Sequence, residues 1–508
     1  MTTASEYTAA APSGRRVSWV LPGLLAGGLP FAVAAVAPSR TAVLILAASL
    51  GAAALAALVA FTPARMADGL FLGFVGVVSI PLAKYFFYQP HVGGWPGLRF
   101  SLSDVFLYLA APLLLAALLW GRRRNALPTT VLLIYGLLLA WYSVSLLLSG
   151  SHLDLGLFEL ASAVHALFLA FATAALFRRT LLIPFLVLLS GAVGVHTVFA
   201  LLQAATGRPI GRSWFHGTEV LRETLVSGAV RLRPSGLFDH PIVYANFLVL
   251  ALPVLAAGYF ACSGRLRRIL VAGAFSLGTA GLILTLSRGA WISAAIASGS
   301  LLLLAWRRGL LAGAARTSVR RGLAGAAGLV LALGVFFGPA IYDRLPRSQA
   351  GNVEVRYELN AIALRMIGSH PVGGVGLNSF IQVMERYDPR NVTRYFPATV
   401  HNLYLLEAAE AGVPGGLLFL LLIFAVVVSA LRRLRTVADP DLAWVAAALL
   451  AGFLGFAVSQ VADFSHRIEP LRSIVWVHLG LLFGILGVGS ARPAEAIGTP
   501  PGQEVVPA

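Results

Sequence analysis

Apolar runs of roughly 17–25 residues recur along almost the whole chain, and each is long enough to cross a bilayer. They fall near 17–37, 42–61, 69–88, 104–120, 128–148, 155–177, 180–205, 241–261, 269–286, 289–306, 322–342, 412–431, 441–462 and 472–490. Composition agrees. Of the 508 residues, 58% are hydrophobic and only 12% charged, where a soluble domain carries about a quarter charged. The sequence therefore predicts an all-α polytopic integral membrane protein with about 12–14 transmembrane helices. Arg15-Arg16 before the first run and Ala35-Val36-Ala37 within it imitate a cleavable signal. The run is too long for a signal core, and it is read as the first transmembrane helix.

Arginine placement sets the expected sidedness, because short loops rich in Lys and Arg face the cytoplasm. Arg15-Arg16, Arg122-Arg123-Arg124, Arg178-Arg179, Arg265 with Arg267-Arg268, Arg307-Arg308 and Arg432-Arg433 mark such loops. They share one side only if the stretch 269–306 crosses twice, with Arg288 at a tight outer turn and both termini cytoplasmic. The expected division is a cytoplasmic segment 1–16, an N-terminal bundle 17–205 and an outer loop 206–240. Central helices 241–342 carry the Arg288 turn; a large outer loop 343–411, C-terminal helices 412–490 and a disordered tail 491–508 follow.

The outer segment is the longest non-apolar interval. Val355–Met366 reads as a helix, stopped by Gly368-Ser369-His370-Pro371. Gly373-Gly374-Val375-Gly376 reads as a flexible connector. Further on, Asn402 suits an N-cap, Gly412 a helix-ending position and Pro414 the first turn of the next helix. His401 then precedes a short helix expected on the membrane surface.

The net charge of +17 comes mostly from arginine, explained first by topology and then by an anionic ligand. The outward segments hold Arg208, Arg212, Arg222, Arg231, Arg233, Arg344, Arg347, Arg356, Arg365, Arg386, Arg390 and Arg394. Singly these suit solvated loop charge; as a set they suit an anionic substrate. No metal-ligand spacing, Walker loop or dinucleotide fingerprint is present, and Cys262 is the one cysteine. No metal, cofactor or nucleic-acid partner is expected. His401 can accept a hydroxyl proton near neutral pH or merely flank a helix. Arg288 is a lone charge in a long apolar run, either functional or reaching headgroups from a turn. Glu159 and His165 lie six residues apart on a predicted helix, off one another's face, and read as helix–helix hydrogen-bonding groups.

Three segments together resemble the O-antigen ligase and Wzy-type polymerase superfamily. They are Arg233-Pro234-Ser235-Gly236-Leu237-Phe238 leading to Pro241, Leu286-Ser287-Arg288-Gly289-Ala290-Trp291, and Arg356 through His370-Pro371 to His401-Asn402. From there nine residues lead to Gly412-Val413-Pro414-Gly415, which is similar to the ligase signature of His-Asn, nine residues, then Gly-x-x-Gly. His240 departs from the family's more usual asparagine beside the proline. The resemblance, over about 230–430, implies a membrane-embedded GT-C-like inverting glycosyltransferase with a periplasmic helical cap. It implies a bacterial inner-membrane enzyme that takes a glycan from an undecaprenyl-pyrophosphate donor to a lipid or glycan acceptor such as lipid A-core. It further implies His401 as general base, Arg233, Arg288 and Arg356 as pyrophosphate ligands, and Asn402 and Glu407 as supporting residues. An O-antigen or exopolysaccharide polymerase and, in another class, a lipid-linked glycan flippase are the rival readings.

Overall fold

A computed structural model describes residues 63–89, 94–119, 127–149, 152–211, 223–226, 229–312, 317, 350–395 and 398–490. The expected spans 17–37, 42–61 and 322–342, the segments 1–16 and 491–508, and Arg122–Arg124, Arg212, Arg222, Arg344 and Arg347 lie outside the described residues. The fold is that of an all-α polytopic membrane protein.

In chain order the bundle opens with α1 (Pro63–Val77), a hairpin of β1 (Ala83–Phe86) and β2 (Leu98–Ser101), and α2 (Leu102–Leu119). Next come α3 (Thr129–Ser149), α4 (Leu153–Leu176) and α5 (Leu182–Thr206), then a second hairpin, β3 (Glu223–Val226) with β4 (Ala229–Leu232). α6 (Pro241–Ala261), α7 (Arg265–Leu284) and α8 (Arg288–Arg307) follow. An extramembranous cap contains α9 (Ala350–Ser369) and the one-turn α10 (Phe380–Val383) and α11 (Val392–Tyr395). The chain closes with α12 (Leu403–Leu434), α13 (Pro440–Ser459) and α14 (Leu471–Ser490). Among the described residues nine helices are long and apolar enough to span a membrane, with two shorter apolar helices beside them.

The centre of the bundle is α6, α13 and α14, whose span windows are 83%, 83% and 89% buried by protein, against 28–39% for α3, α5, α7 and α8. Small residues allow the close packing that hydrocarbon solvent does not otherwise drive. A Cβ on Gly455 of α13 would lie 2.5 Å from the Ser293 carbonyl of α8, and one on Gly480 of α14 the same distance from that of Ala170 in α4.

Contacts at the helix ends sort the bundle into two faces. At one, Arg179 binds Asp439 and Asp441 at 2.6 and 2.7 Å, and Arg308 donates to the Arg435 and Val437 carbonyls. The paired arginines at 178–179, 267–268, 307–308 and 432–433 belong to this face. At the other lie the two hairpins, the α7–α8 turn, the cap and the 460–470 loop.

Three expectations need correction. The run 69–88 is not one span: α1 ends at Val77, Pro81 follows, and alternating Lys84, Tyr85 and Phe86 pair with β2 instead. The alternation of exposed and partly buried positions in β1 fits a strand with one covered face. The Gly373–Gly376 segment is likewise no loose connector. Gly374 (φ 69°) and Gly412 (φ 73°) sit where backbones meet, and a Cβ on Gly412 would lie within 2 Å of the Val372 carbonyl oxygen. Val375 donates to Ala409 O at 2.9 Å, Gly376 to Glu410 O at 3.1 Å and Val413 to Pro371 O at 2.8 Å. This clasp fixes a break in α12 at Gly412. The half-helix Leu403–Ala411 does not lie on a surface; Leu403, Leu406, Glu407, Ala409, Glu410 and Ala411 are all buried. Leu359, Ile362, Met366, Phe380 and Met384 of the cap pack against it in one apolar cluster with Leu406 and Ala409.

Candidate active site

The α7–α8 turn begins the site. Leu286 takes a positive φ of 52°, Thr285 Oγ1 donates to Leu282 O at 2.7 Å, and Trp291 Nε1 closes on the same carbonyl at 3.0 Å. The 269–306 stretch thus forms two helices, each long and apolar enough to cross a membrane, and Arg288 is the first residue of α8. Arg233 reaches this turn from the second hairpin, its Nε and Nη2 donating to Thr285 O at 3.1 and 2.9 Å. One guanidinium group is therefore fixed on this carbonyl, and a second arginine opens the helix that follows it, an arrangement suited to negative charge.

Beyond the turn the Arg233 loop runs into α6. Gln203 Oε1 accepts from the amides of Ser235 and Gly236, and Gln203 Nε2 donates to the carbonyls of Gly236 and Ile210. A Cβ on Gly236 would press the His196 carbonyl at 2.8 Å. His240 has a polar role here: its Nδ1 accepts from the Ile242 amide at 3.0 Å and caps α6, with Pro241 in the first turn.

Arg356 enters from α9 and carries its charge close to both Arg288 and Asp463. Partial burial, then repulsion from Arg288, lowers its guanidinium pKa against the pull of Asp463. His401 lies within the field of Arg356. Burial first, and the Arg356 charge second, hold His401 down at about 4. Its ring meets Phe464 edge-on at 5.3 Å, and its Nδ1 is buried without a hydrogen-bond partner among the described residues. Asn402 caps α12, its side-chain oxygen accepting from the amides of Tyr404 at 3.0 Å and Leu405 at 3.1 Å.

Asp463, Asn246 and Ser465 complete the floor. Asn246 Nδ2 donates to Asp463 Oδ2 and to Ser465 Oγ, both at 2.9 Å, and the Leu403 amide donates to Asp463 O at 3.0 Å. Burial raises the Asp463 carboxyl above its ordinary range, with Ser465 and Arg356 opposing. Sequence reasoning passed over these residues. The signals were a lone Asn in the apolar run 241–261 and an acid at the end of 441–462.

Glu407 points to a different cluster. It accepts from Tyr142 Oη at 2.6 Å and lies 2.9 Å from Arg467 Nη2. Arg467 also pairs with Glu410 at 3.1 Å and Glu159 at 2.9 Å, while Glu159 holds Arg472 at 2.8 Å. All five charged side chains are 5% exposed or less. Burial alone would lower the Arg467 pKa; the carboxylates around it more than offset that and raise it. Glu410 accepts from the Asn378 and Phe380 amides. Asn378 in turn bonds the Trp95 and Leu155 backbones, tying the cap to the first hairpin and α4. Glu159 and His165 are helix–helix partners, as expected: His165 binds Asp104 of α2 at 2.9 Å. Of the other outer arginines, Arg365 donates to Tyr387 O and Arg390 pairs with Glu358, both inside the cap.

The described residues contain no group of three His, Cys, Asp or Glu that could hold a metal ion. Fold and site together define a polytopic helical membrane protein whose arginines, histidine and buried acid gather at one end of the bundle. Residues 273–420 match the Wzy_C family, described as O-antigen ligase. The match takes in Arg288, Arg356 and the His401–Gly415 segment, leaves Arg233 and Asp463 outside, and supports placement in the O-antigen ligase-like superfamily and a ligase- or polymerase-type function. No curated protein matches the chain.

Proposed function

We propose that the chain is an inverting glycosyltransferase that moves a glycan from an undecaprenyl-pyrophosphate donor to an acceptor hydroxyl. The observation that carries the reading is the convergence of Arg233, Arg288 and Arg356 with His401 at one bundle end. Fixed guanidinium groups stabilise the charge that grows on a departing pyrophosphate without having to reorganise. In the proposed step the acceptor oxygen bonds to the anomeric carbon as the bond from that carbon to the pyrophosphate oxygen breaks. The hydroxyl proton passes to a ring nitrogen of His401, and undecaprenyl pyrophosphate leaves as the anion. His401, neutral at pH 7, has a lone pair free for that proton. Its basicity rises when the donor's negative charge offsets Arg356.

The arginine-rich face is proposed to be cytoplasmic and the cap and site periplasmic, in a bacterial inner membrane, because short basic loops are retained inside. The His401-Asn402 and Gly412–Gly415 spacing favours ligation onto a lipid A-core-type acceptor. Purified protein incubated with lipid-linked glycan, with and without core lipid, tests this. Glycan on core lipid is the expected product. Lengthening of glycan without core lipid would make the protein a polymerase, and relocation without a change of carrier would make it a flippase.

A further inference from the structure

A second site lies at the opposite end of the bundle, in a cleft between α6 and α7. The cleft has a volume of about 550 Å³. Its wall is Tyr259 at the end of α6, its rim Ser263 and Gly264, and its cationic side Arg265 and Arg268. Arg268 is already held in place: Nε donates to Cys262 O at 2.9 Å, and the guanidinium carbon lies 5.8 Å from the Tyr259 ring centroid. That leaves the two terminal nitrogens of Arg268 to bind a ligand. Arg265 has no hydrogen-bond or ion-pair partner among the described residues, and no side chain caps the N-terminus of α7. One concavity therefore collects two guanidinium groups beside the N-terminus of α7, which no side chain caps.

The chemistry that fits is a phosphate group. Guanidinium forks bind its oxygens in pairs, and helix-terminal amides add dipole and donors. The rest of the cleft identifies the source. Ile269 and Ala272 form its inner, apolar part. Leu266, Ile269 and Leu270 alongside are 77%, 57% and 45% exposed, on a helix long and apolar enough to cross a membrane, so the surface flanking the cleft suits acyl chains. A soluble phosphate would leave that apolar surface unused, whereas a lipid covers both parts.

We propose that this cleft binds an anionic phospholipid. Arg265, Arg268 and the α7 amides hold the headgroup phosphate, and Tyr259, Ile269 and Ala272 hold the glycerol and first acyl carbons. The site lies apart from the arginine and histidine cluster and is independent of the reaction proposed for it.

The test is native mass spectrometry of the delipidated full-length protein, titrated with phosphatidylglycerol, phosphatidylcholine or inorganic phosphate. Wild type is expected to take up a first phosphatidylglycerol at least about tenfold more tightly than the Arg265→Gln/Arg268→Gln variant. An Arg307→Gln/Arg432→Gln variant, which removes equal charge at the same face outside the cleft, is expected to match wild type. Ala272→Phe keeps the charge but fills the cleft, and is expected to lose the tight binding event as well; it serves if the double variant does not fold. Equal affinity in wild type and both cleft variants would overturn the proposal, as would equal loss in the Arg307/Arg432 control. Inorganic phosphate displacing the lipid at millimolar concentration would also overturn it, because the site would then be one for soluble phosphate.

Discussion

Replacing Arg467 with methionine removes a cation that faces three buried carboxylates. In the protein its nitrogens lie 2.9 Å from Glu159, 2.9 Å from Glu407 and 3.1 Å from Glu410. The partners would not suffer equally. Glu159 keeps Arg472, and Glu410 keeps the Asn378 and Phe380 amides. Glu407 keeps only the Tyr142 hydroxyl, a neutral donor. Removing one partner of a buried ion pair costs about 3–5 kcal/mol, because the other charge is stranded away from water. The loss should show as an apparent unfolding temperature lower by on the order of 5–10 °C in detergent, followed by tryptophan fluorescence or size-exclusion after heating. Adding Glu407→Gln to Arg467→Met should recover a large part of it, since the stranded charge is then gone. If Arg467→Met unfolds within about 1 °C of wild type, or the second substitution deepens the loss, the argument that Arg467 neutralises Glu407 is wrong.

Two further outcomes follow from the site. Gly412→Ala would force a Cβ to within 2 Å of the Val372 carbonyl at a φ of 73°, so the clasp between the cap and α12 should break. The expected result is a sharp fall in folded yield, or folded protein with transfer reduced tenfold or more; near-wild-type yield and rate would count against the clasp. The pH dependence is set by His401. Its folded value of about 4 lies below the ordinary 6.5, so protonation opposes folding. The contribution is present above about pH 6.5 and lost as pH falls through about 4, at most ~3 kcal/mol in all. For the free enzyme, kcat/KM should therefore stay flat through pH 6.5 with an acid limb near 4, and the residual activity of His401→Ala should lack that limb. A limb near 6.5 would mean that the histidine is not held down.

Much of the site is local in sequence and was legible there. The crossing pair around Arg288, the Asn402 cap, the break at Gly412 and the end of α9 at His370-Pro371 each depend on residues a few positions apart. What escaped reading depends on distance. Arg467 and Arg472 lie between and at the start of apolar runs, where they pass for loop and interfacial charge, yet their partner Glu159 is about three hundred residues earlier. A buried acid in α4 and an arginine opening α14 are a pair waiting to be matched, since neither is tolerated alone in an apolar bundle. Asp463 was hidden in the same way, its partner Asn246 being the single amide of α6. The first hairpin escaped because Phe86 and Phe87 keep the run 69–88 apolar past Pro81, and the alternation of covered and exposed positions over Ala83–Phe86 emerges only once β1 pairs with β2. The glycines of the clasp were visible as glycines, but what they touch is another backbone, which no spacing rule discloses.

The most direct test of the account compares wild type, His401→Ala and Arg288→Ala in glycan transfer from the pyrophosphate donor, in EDTA, with donor binding measured separately on each. Wild type is expected to transfer with EDTA present. His401→Ala should bind donor normally and lose at least 100-fold in rate, the range for a missing general base. Arg288→Ala should lose a similar factor together with donor affinity, as a missing anion-stabilising group does. Transfer within about threefold of wild type in His401→Ala, from folded protein that binds donor, would contradict the assignment of that histidine as the base and with it the proposed chemistry.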